Sequence, residues 1–315
     1  MMKKLATLIT FIAFQLHVYS QKIDSIYIET NQLRSLVLPE KIIEISALEF
    51  DQQSTPDTPL FWALNDSHNA NEIYLFDGLT GEVTNTVILD GVPNTDWEEI
   101  TQDEDFIYVG DFGNNLGNRK DLTIYTLDKN LIDYSKATQT VTVDKIEFYY
   151  PEQDTFKIKN RKNDYDLEAF FAYNGKLHLF SKEWASLKTT HYTLDPKIKE
   201  KQAAKKINTF HTQFLVTAAH ISEHPATKGV YLLGYTKEGI AFINWYDLEE
   251  GNEDFLSAKN IKVIPFGFAS DLGQLEGISV NPQRNEVCAS GEELNFRGMY
   301  AKQQLHCFPA NLLIK

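Results

Sequence analysis

Five oxygen-bearing side chains recur at one kind of place along the 315-residue chain: Ser46, Glu98, Glu168, Thr217 and Glu276, at successive spacings of 52, 70, 49 and 59 residues. Three lie in near-identical segments, Trp97-Glu98-Glu99-Ile100, Leu167-Glu168-Ala169-Phe170 and Leu275-Glu276-Gly277-Ile278. Each puts a carboxylate inside an apolar stretch just before a hairpin. Ser46-Ala47-Leu48-Glu49-Phe50 and Thr217-Ala218-Ala219-His220-Ile221 are weaker copies. A carboxylate in an apolar strand is costly unless it is paired or metal-bound. Placed at one equivalent position around a ring, the five oxygens face a single axis, where three carboxylates without a cation repel one another. Calcium accepts six to eight oxygens in loose geometry, whereas zinc wants nitrogen or sulfur. The expected ligands of a central Ca2+ are therefore Ser46, Glu98, Glu168, Thr217 and Glu276. The alternative is that these side chains bond to the next blade's backbone and brace the ring without an ion. Glu99, expected on the opposite strand face, suits that bracing role.

A period near fifty residues with several short strands per repeat is the mark of a β-propeller. Glycine, proline and Asn/Asp clusters divide the chain into strands at 45–50, 60–64, 72–76 and 83–89, then 97–102, 106–110, 122–127 and 141–150. A third set runs 167–173, 176–181, 189–194 and a weak strand before His211, with Asn174-Gly175 as a tight hairpin turn. A fourth runs 217–222, 229–235, 240–246 and 261–265, and a fifth supplies 276–280, 286–290 and 303–308. The expected fold is all-β, a propeller of five blades of four antiparallel strands. An N-terminal strand at 23–30 supplies the strand missing from the last blade and closes the ring. A sixth blade requires a blade hidden in 148–163, whose Lys-rich, polar run reads instead as a loop.

Residues 1–20 read as a secretory signal peptide: Lys3 and Lys4, an apolar run from Leu5 to Phe14, and cleavage after Ser20. Residues 21–315 then form one domain, exported to a periplasm or secreted, with no membrane span. Formal charge is -14 and becomes -16 once Lys3 and Lys4 are removed. Such a balance disfavours nucleic acid and anionic membrane surfaces and suits divalent cations. Cys288 and Cys307 fall on neighbouring strands of the last blade, where export permits a disulfide; two buried thiols are the alternative. A monomer is expected.

The loops after the second strands should gather at one mouth of the channel. They carry Asn65, Asp66, His68, Asp111, Asn114, Asn115, Arg119, Lys182, Glu183, Trp184, Tyr235, Glu292 and Glu293. In a hydrolase, Asp66 or Asp111 is the catalytic residue that orients or deprotonates water. Substrate-binding roles fall to Asn65, His68, Asn114, Asn115, Arg119, Lys182, Tyr235 and Glu292, with Arg119 and Lys182 holding an anion's charge. The plain alternative for the run from Asp111 to Asn118 is turn chemistry, since Asn and Asp bond their own backbone. His220-Ile221-Ser222-Glu223-His224 misplaces the glutamate of a metalloprotease helix and reads as a loop.

The chain resembles the calcium-activated nucleotidases, or soluble apyrases. Glu44-Ile45-Ser46-Ala47-Leu48 is similar to that family's Glu-Leu-Ser-Glu-Leu entry, and Leu275-Glu276-Gly277-Ile278 to its Tyr-Glu-Gly-Ile. Trp97-Glu98-Glu99-Ile100 precedes Tyr108-Val109-Gly110 by the family's interval. Glu168-Ala169 stands where the family has Glu-Ser-Ala, and Thr217-Ala218-Ala219 replaces a serine pair. The resemblance implies a five-bladed propeller with a central calcium on the same five residues. Asn65-Asp66-Ser67-His68-Asn69 lacks the family's loop arginine, and Phe180-Ser181-Lys182-Glu183-Trp184 offers one lysine where the family has adjacent arginines. The runs Asn94-Thr95-Asp96-Trp97-Glu98 and Gly110-Asp111-Phe112-Gly113-Asn114-Asn115 resemble more closely a group of uncharacterised exported bacterial propellers. Two functions follow as expectations: a calcium-dependent hydrolase of phosphate esters or nucleotides, acting on a small anionic molecule, or a non-catalytic propeller that binds a glycan or protein.

Overall fold

The computed structural model describes residues 21–296 and 298–313, so the expected leader at 1–20 lies outside the described residues. Five small sheets stand around one axis. Blade one is Glu49–Phe50, Leu60–Leu64, Glu72–Asp77 and Val83–Leu89. Blade two is Trp97–Gln102, Phe106–Asp111, Thr123–Asp128 and Asp144–Tyr149, and blade three Asp166–Tyr173, Lys176–Lys182, Thr189–Leu194 and Lys205–Phe210. Leu215–Ser222, Gly229–Tyr235, Ile240–Tyr246 and Asn260–Phe268 make blade four; Gln274–Asn281, Glu286–Glu292 and Gln304–Pro309 begin blade five. Within each blade successive strands pair antiparallel. The segment 151–165 holds no strand, so no sixth blade arises there.

Each sheet is covered on both faces by its neighbours, which explains why strands such as Leu60–Leu64 (LFWAL) are apolar throughout. Alternate residues pack to opposite sides. Trp62 and Leu64 meet Ile100 and Val109 between blades one and two, while Phe61 and Ala63 meet Cys288 and Leu305 between blades one and five. Cys288 and Cys307 are opposite each other in register and form a disulfide inside that second interface. Asn174-Gly175 turns between Tyr173 and Lys176 with φ of 50° and 68°, the doubly left-handed turn that the Asn-Gly pair favours.

The N-terminal segment closes the ring with different residues from those expected. The fourth strand of blade five is Arg34–Val37, antiparallel to Gln304–Pro309. The expected stretch at 23–30 instead contributes Lys22–Ser25, which adds in parallel to the outer strand of blade four. Outer edges elsewhere are covered similarly. Thr138–Val141 pairs in parallel with blade one's outer strand, and Gln202–Ala203 with blade two's. In both cases the connection inside the next blade lends the strand, leaving less unpaired edge exposed.

Candidate functional site at the acidic mouth of the channel

Every inner strand carries one extra residue at the same height. Pairing slips by one between Trp97 and Glu99, Leu167 and Ala169, Val216 and Ala218, and Leu275 and Gly277. The residues left out of register are Glu98, Glu168, Thr217 and Glu276. In blade one the slip falls between Ile45 and Glu49, the segment that holds Ser46. A bulge of this kind re-aims a side chain that a regular strand would send into a sheet interface. The repeated sequence position is thus a repeated backbone device, and all five side chains are buried, at most 5 % exposed.

The five do not behave alike. Ser46 Oγ donates to Trp97 O at 3.2 Å, and Thr217 Oγ1 donates to Leu275 O at 2.9 Å. Each hydroxyl therefore grips the next blade at the residue before its bulged glutamate, which is the bracing alternative. Glu168 forms a buried ion pair with Lys182, both side chains 3 % exposed. The Lys182 ammonium also lies 4.9 Å from the Trp184 ring and 5.1 Å from that of Tyr235. Burial works against its charge, yet Glu168, Tyr235, Glu276 and Asp166 hold it well above the usual lysine value. Glu98, by contrast, makes no hydrogen bond or ion pair among the described residues. Burial, followed by repulsion from Glu168, Asp66, Asp96 and Asp166, pushes its carboxyl well above the usual range. Glu99 is buried too, with Ile100 N donating to its Oε1 at 3.0 Å and Oε2 left without a partner.

The loop after blade one's second strand, the connection into blade two and the end of blade five's second strand deliver further acids to this height. Asp66, Asp96 and Glu98 offer oxygens all within 4.8 Å of one another, and so do Asp66, Glu276 and Glu292. Asp96 is pushed up to about 7, mainly by burial and then by Asp66 and Asp166. Glu276 also stands near 7, with burial the main cause, opposed by Lys182. Glu292 is raised well above its ordinary value by burial and by Glu276, Asp66 and Glu44.

The two sequence runs singled out above build this cluster jointly. Asn94 Nδ2 donates to the carbonyls of Asn65 (3.0 Å) and Asp66 (2.8 Å), while its Oδ1 accepts from Trp97 N, which ties the Asp66 loop to the start of blade two. Asp111 accepts from Asp96 N at 3.1 Å and pairs with Arg119 at 2.8 Å. Gly113 N donates to Asp96 O at 3.1 Å, so backbone lies directly against the acids. A Cβ on Gly113 would collide with Glu98 Oε1 and come within 2.5 Å of Asp96 Oδ2. Asn114 N donates to Asp166 Oδ1 at 2.6 Å, linking the loop to blade three.

Several expected substrate contacts are committed inside the protein. Arg119 binds Asp111, Asp121 and the Gly113 carbonyl, and Asn114 is bonded on both amide atoms. Asn65 Nδ2 donates to Lys41 O at 3.0 Å, but its Oδ1 has no partner, nor does Oδ1 of Asn115. His68 is exposed with φ 66°. Tyr235 packs on Lys182 at the mouth, and burial raises its hydroxyl pKa far above 10.

Asp96 and Arg161 were not among the expected site residues. Asp96 lies inside a quoted run, two residues before Glu98, and the alternation itself was the missed signal. Arg161 belongs to the loop at 151–165, which docks on the 113–119 loop through Arg161 N to Asn115 O at 2.9 Å. Its guanidinium lies 5.0 Å from the Trp184 ring, near enough to favour the Glu276 charge. A cavity of about 600 Å3 opens at the opposite end of the channel, among Glu49, Gln102, Tyr173 and His220. The carboxylates of the mouth do not line it.

The donor set suits a hard cation. It is all oxygen and rich in carboxylate, Glu98 lacks a partner among the described residues, and Gly113 leaves room for the acids to converge.

No protein-family model and no curated protein matches the chain. Among solved structures, the PQQ-bound aldose sugar dehydrogenase of Streptomyces coelicolor aligns at TM-score 0.45 with 11% identity, over 88% of this chain and 98% of that one. Exo-β-1,3-galactanase from Phanerochaete chrysosporium aligns at 0.44 with 12% identity, over 66% and 46%. Hydrazine synthase from Kuenenia stuttgartiensis aligns at 0.38 with 10% identity, over 85% of this chain and 63% of that one. The chain thus spans less than two thirds of the galactanase and hydrazine synthase chains. At these identities the likeness concerns the fold alone.

Proposed function

We infer that the chain is an exported propeller that binds divalent cation, calcium by the number and hardness of its oxygen donors, and hydrolyses small phosphate esters at the acidic mouth. The observation that carries this reading is the convergence of Asp66, Asp96 and Glu98 within 4.8 Å around a carboxylate with no donor among the described residues. Export rests on the leader at 1–20 and agrees with the Cys288–Cys307 disulfide. Among the described residues no helix is long and apolar enough to cross a membrane.

Bound calcium supplies Lewis acidity toward a phosphoryl oxygen and acidifies its own water. Asp66, half-buried at the rim, is placed to help hold that ion and so orient the attacking water. Asp111 serves by holding the Asp96 turn through its backbone N–H. Arg161, exposed and stacked on Trp184, takes the anion-holding role expected of Arg119. A second reading, a propeller that binds a glycan or protein without turnover, is favoured by one observation. Arg119 and Lys182 are both spent on internal carboxylates, so the rim meets a ligand with acids and amides.

Mature protein assayed with p-nitrophenyl phosphate and nucleoside diphosphates, with calcium or EDTA, separates the two. Calcium-dependent release of product, reduced about 100-fold or more in Asp66→Asn, supports the hydrolase. Calcium binding without turnover across that panel supports the binding protein.

A further inference from the structure

The acidic mouth is two groups joined at one residue. Asp66 belongs both to the trio with Asp96 and Glu98 and to the trio with Glu276 and Glu292; no other described residue belongs to both. We propose that the mouth seats two divalent cations side by side, with the Asp66 carboxylate bridging them, one ion on Asp96 and Glu98 and the other on Glu276 and Glu292. This rests on the cation-binding reading and adds to it a second ion and a division of the ligands.

The ring reading puts one ion on the axis, bound equally by every blade, and the observed contacts depart from it. Glu168 is withdrawn by Lys182, whose ammonium sits in blade three's share of the ring. Ser46 and Thr217 give their protons to neighbouring carbonyls. What remains is lopsided: a blade-two pair, a blade-five pair in which Glu276 also accepts from Gln274 Nε2, and Asp66 between them. Glu98 is 5 % exposed, unpartnered, and aimed at Asp66 and Asp96. Gly113 packs so closely on that pair that even a methyl group would displace it.

Charge decides between one ion and two. One divalent ion leaves three of the five carboxylates to be neutralised by protons, since the nearby lysine is already used by Glu168. Two ions leave one. Three carboxylates per ion also leave places for water or a substrate's oxygens on calcium, which takes six to eight ligands. Ions sharing a carboxylate lie about 3.5–4 Å apart, the spacing of sites that clamp both oxygens of an in-line phosphoryl displacement.

The test is calcium stoichiometry by equilibrium dialysis on the full mature chain, with manganese substituted for electron paramagnetic resonance. Wild type is expected to bind two ions and, with manganese, to give an exchange-coupled signal. Asp96→Asn and Glu292→Gln should each retain one ion, with the coupled signal lost, and Asp66→Asn should weaken both ions at least tenfold. Each change removes a repelled charge and keeps its shape, so folding should survive; far-ultraviolet circular dichroism checks this. One ion in wild type overturns the proposal while leaving the single-ion reading intact. Two ions unaffected by Asp66→Asn overturn the bridge, and no ion overturns both readings.

Discussion

Acid sensitivity should originate far from the mouth, in a histidine pair sealed inside the interface of blades three and four. His178 Nδ1 and His191 Nε2 share one hydrogen bond at 2.9 Å, both residues have no exposure, and Phe180 stacks on His191 at 4.8 Å. The outer nitrogens, His178 Nε2 and His191 Nδ1, have no partner. Burial lowers His178 from 6.5 to about 4 and His191 to about 3, the latter also repelled by His178. The unfolded chain therefore takes up two protons that the native state refuses. Stability is whole above pH 6.5 and is lost as pH falls toward 4 and then 3. Two protons give a limiting slope of about 2.7 kcal/mol per pH unit, or about 3 kcal/mol between pH 6.5 and 5. That is a large part of the 5–15 kcal/mol typical of a domain. Urea unfolding at pH 5, 6, 7 and 8 in saturating calcium, where the mouth carboxylates stay ionised, isolates this effect. The double variant His178→Leu/His191→Leu should lose most of the slope, whatever its absolute stability. A variant slope equal to wild type would refute the reasoning.

Without calcium the mouth acts in the opposite sense. Asp96 and Glu276, held near 7 when folded, bind protons that the unfolded chain has released, so they favour the native state below pH 4 and withdraw that support as pH rises through 7. In EDTA at pH 8, Asp96→Asn should therefore raise the urea midpoint, and an unchanged or lower midpoint would count against it. Arg119→Ala should destabilise by about 3–5 kcal/mol, because it strands the buried Asp111 carboxylate; urea unfolding of Arg119→Lys should recover little, since lysine cannot fork between Asp111 and Asp121. Reducing Cys288–Cys307, whose sequence separation is 19, should cost about 3 kcal/mol of chain entropy, read as a lower melting temperature in dithiothreitol.

The sequence showed the blade repeat because each inner strand spends a residue on a bulge, and that residue must be polar to face the axis. Glu98, Glu168 and Glu276 were legible for this reason. Their different fates were not, because they depend on partners elsewhere: Lys182 neutralises Glu168, while no described residue pairs with Glu98. The bonding of the loop residues was equally hidden. Arg119 is a cation near a rim, but only the fold shows Asp111 across from it. Asp111 and Asn114 do serve their own loop, as turn chemistry expects, and also hold Asp96 and Asp166. The parallel edge strands, Lys22–Ser25, Thr138–Val141 and Gln202–Ala203, are two to four residues long and mostly polar. They carry no apolar alternation to read, since they pair on an outer edge and bury little.

The most direct test of the central claim is thermal unfolding of the mature protein in EDTA and in calcium, beside Glu98→Gln. Calcium at about one hundred times its dissociation constant should add about 2.7 kcal/mol for each ion bound, raising the wild-type melting temperature by several degrees, with the rise reduced in Glu98→Gln. A wild-type melting temperature indifferent to calcium, or a full rise in the variant, would contradict the account.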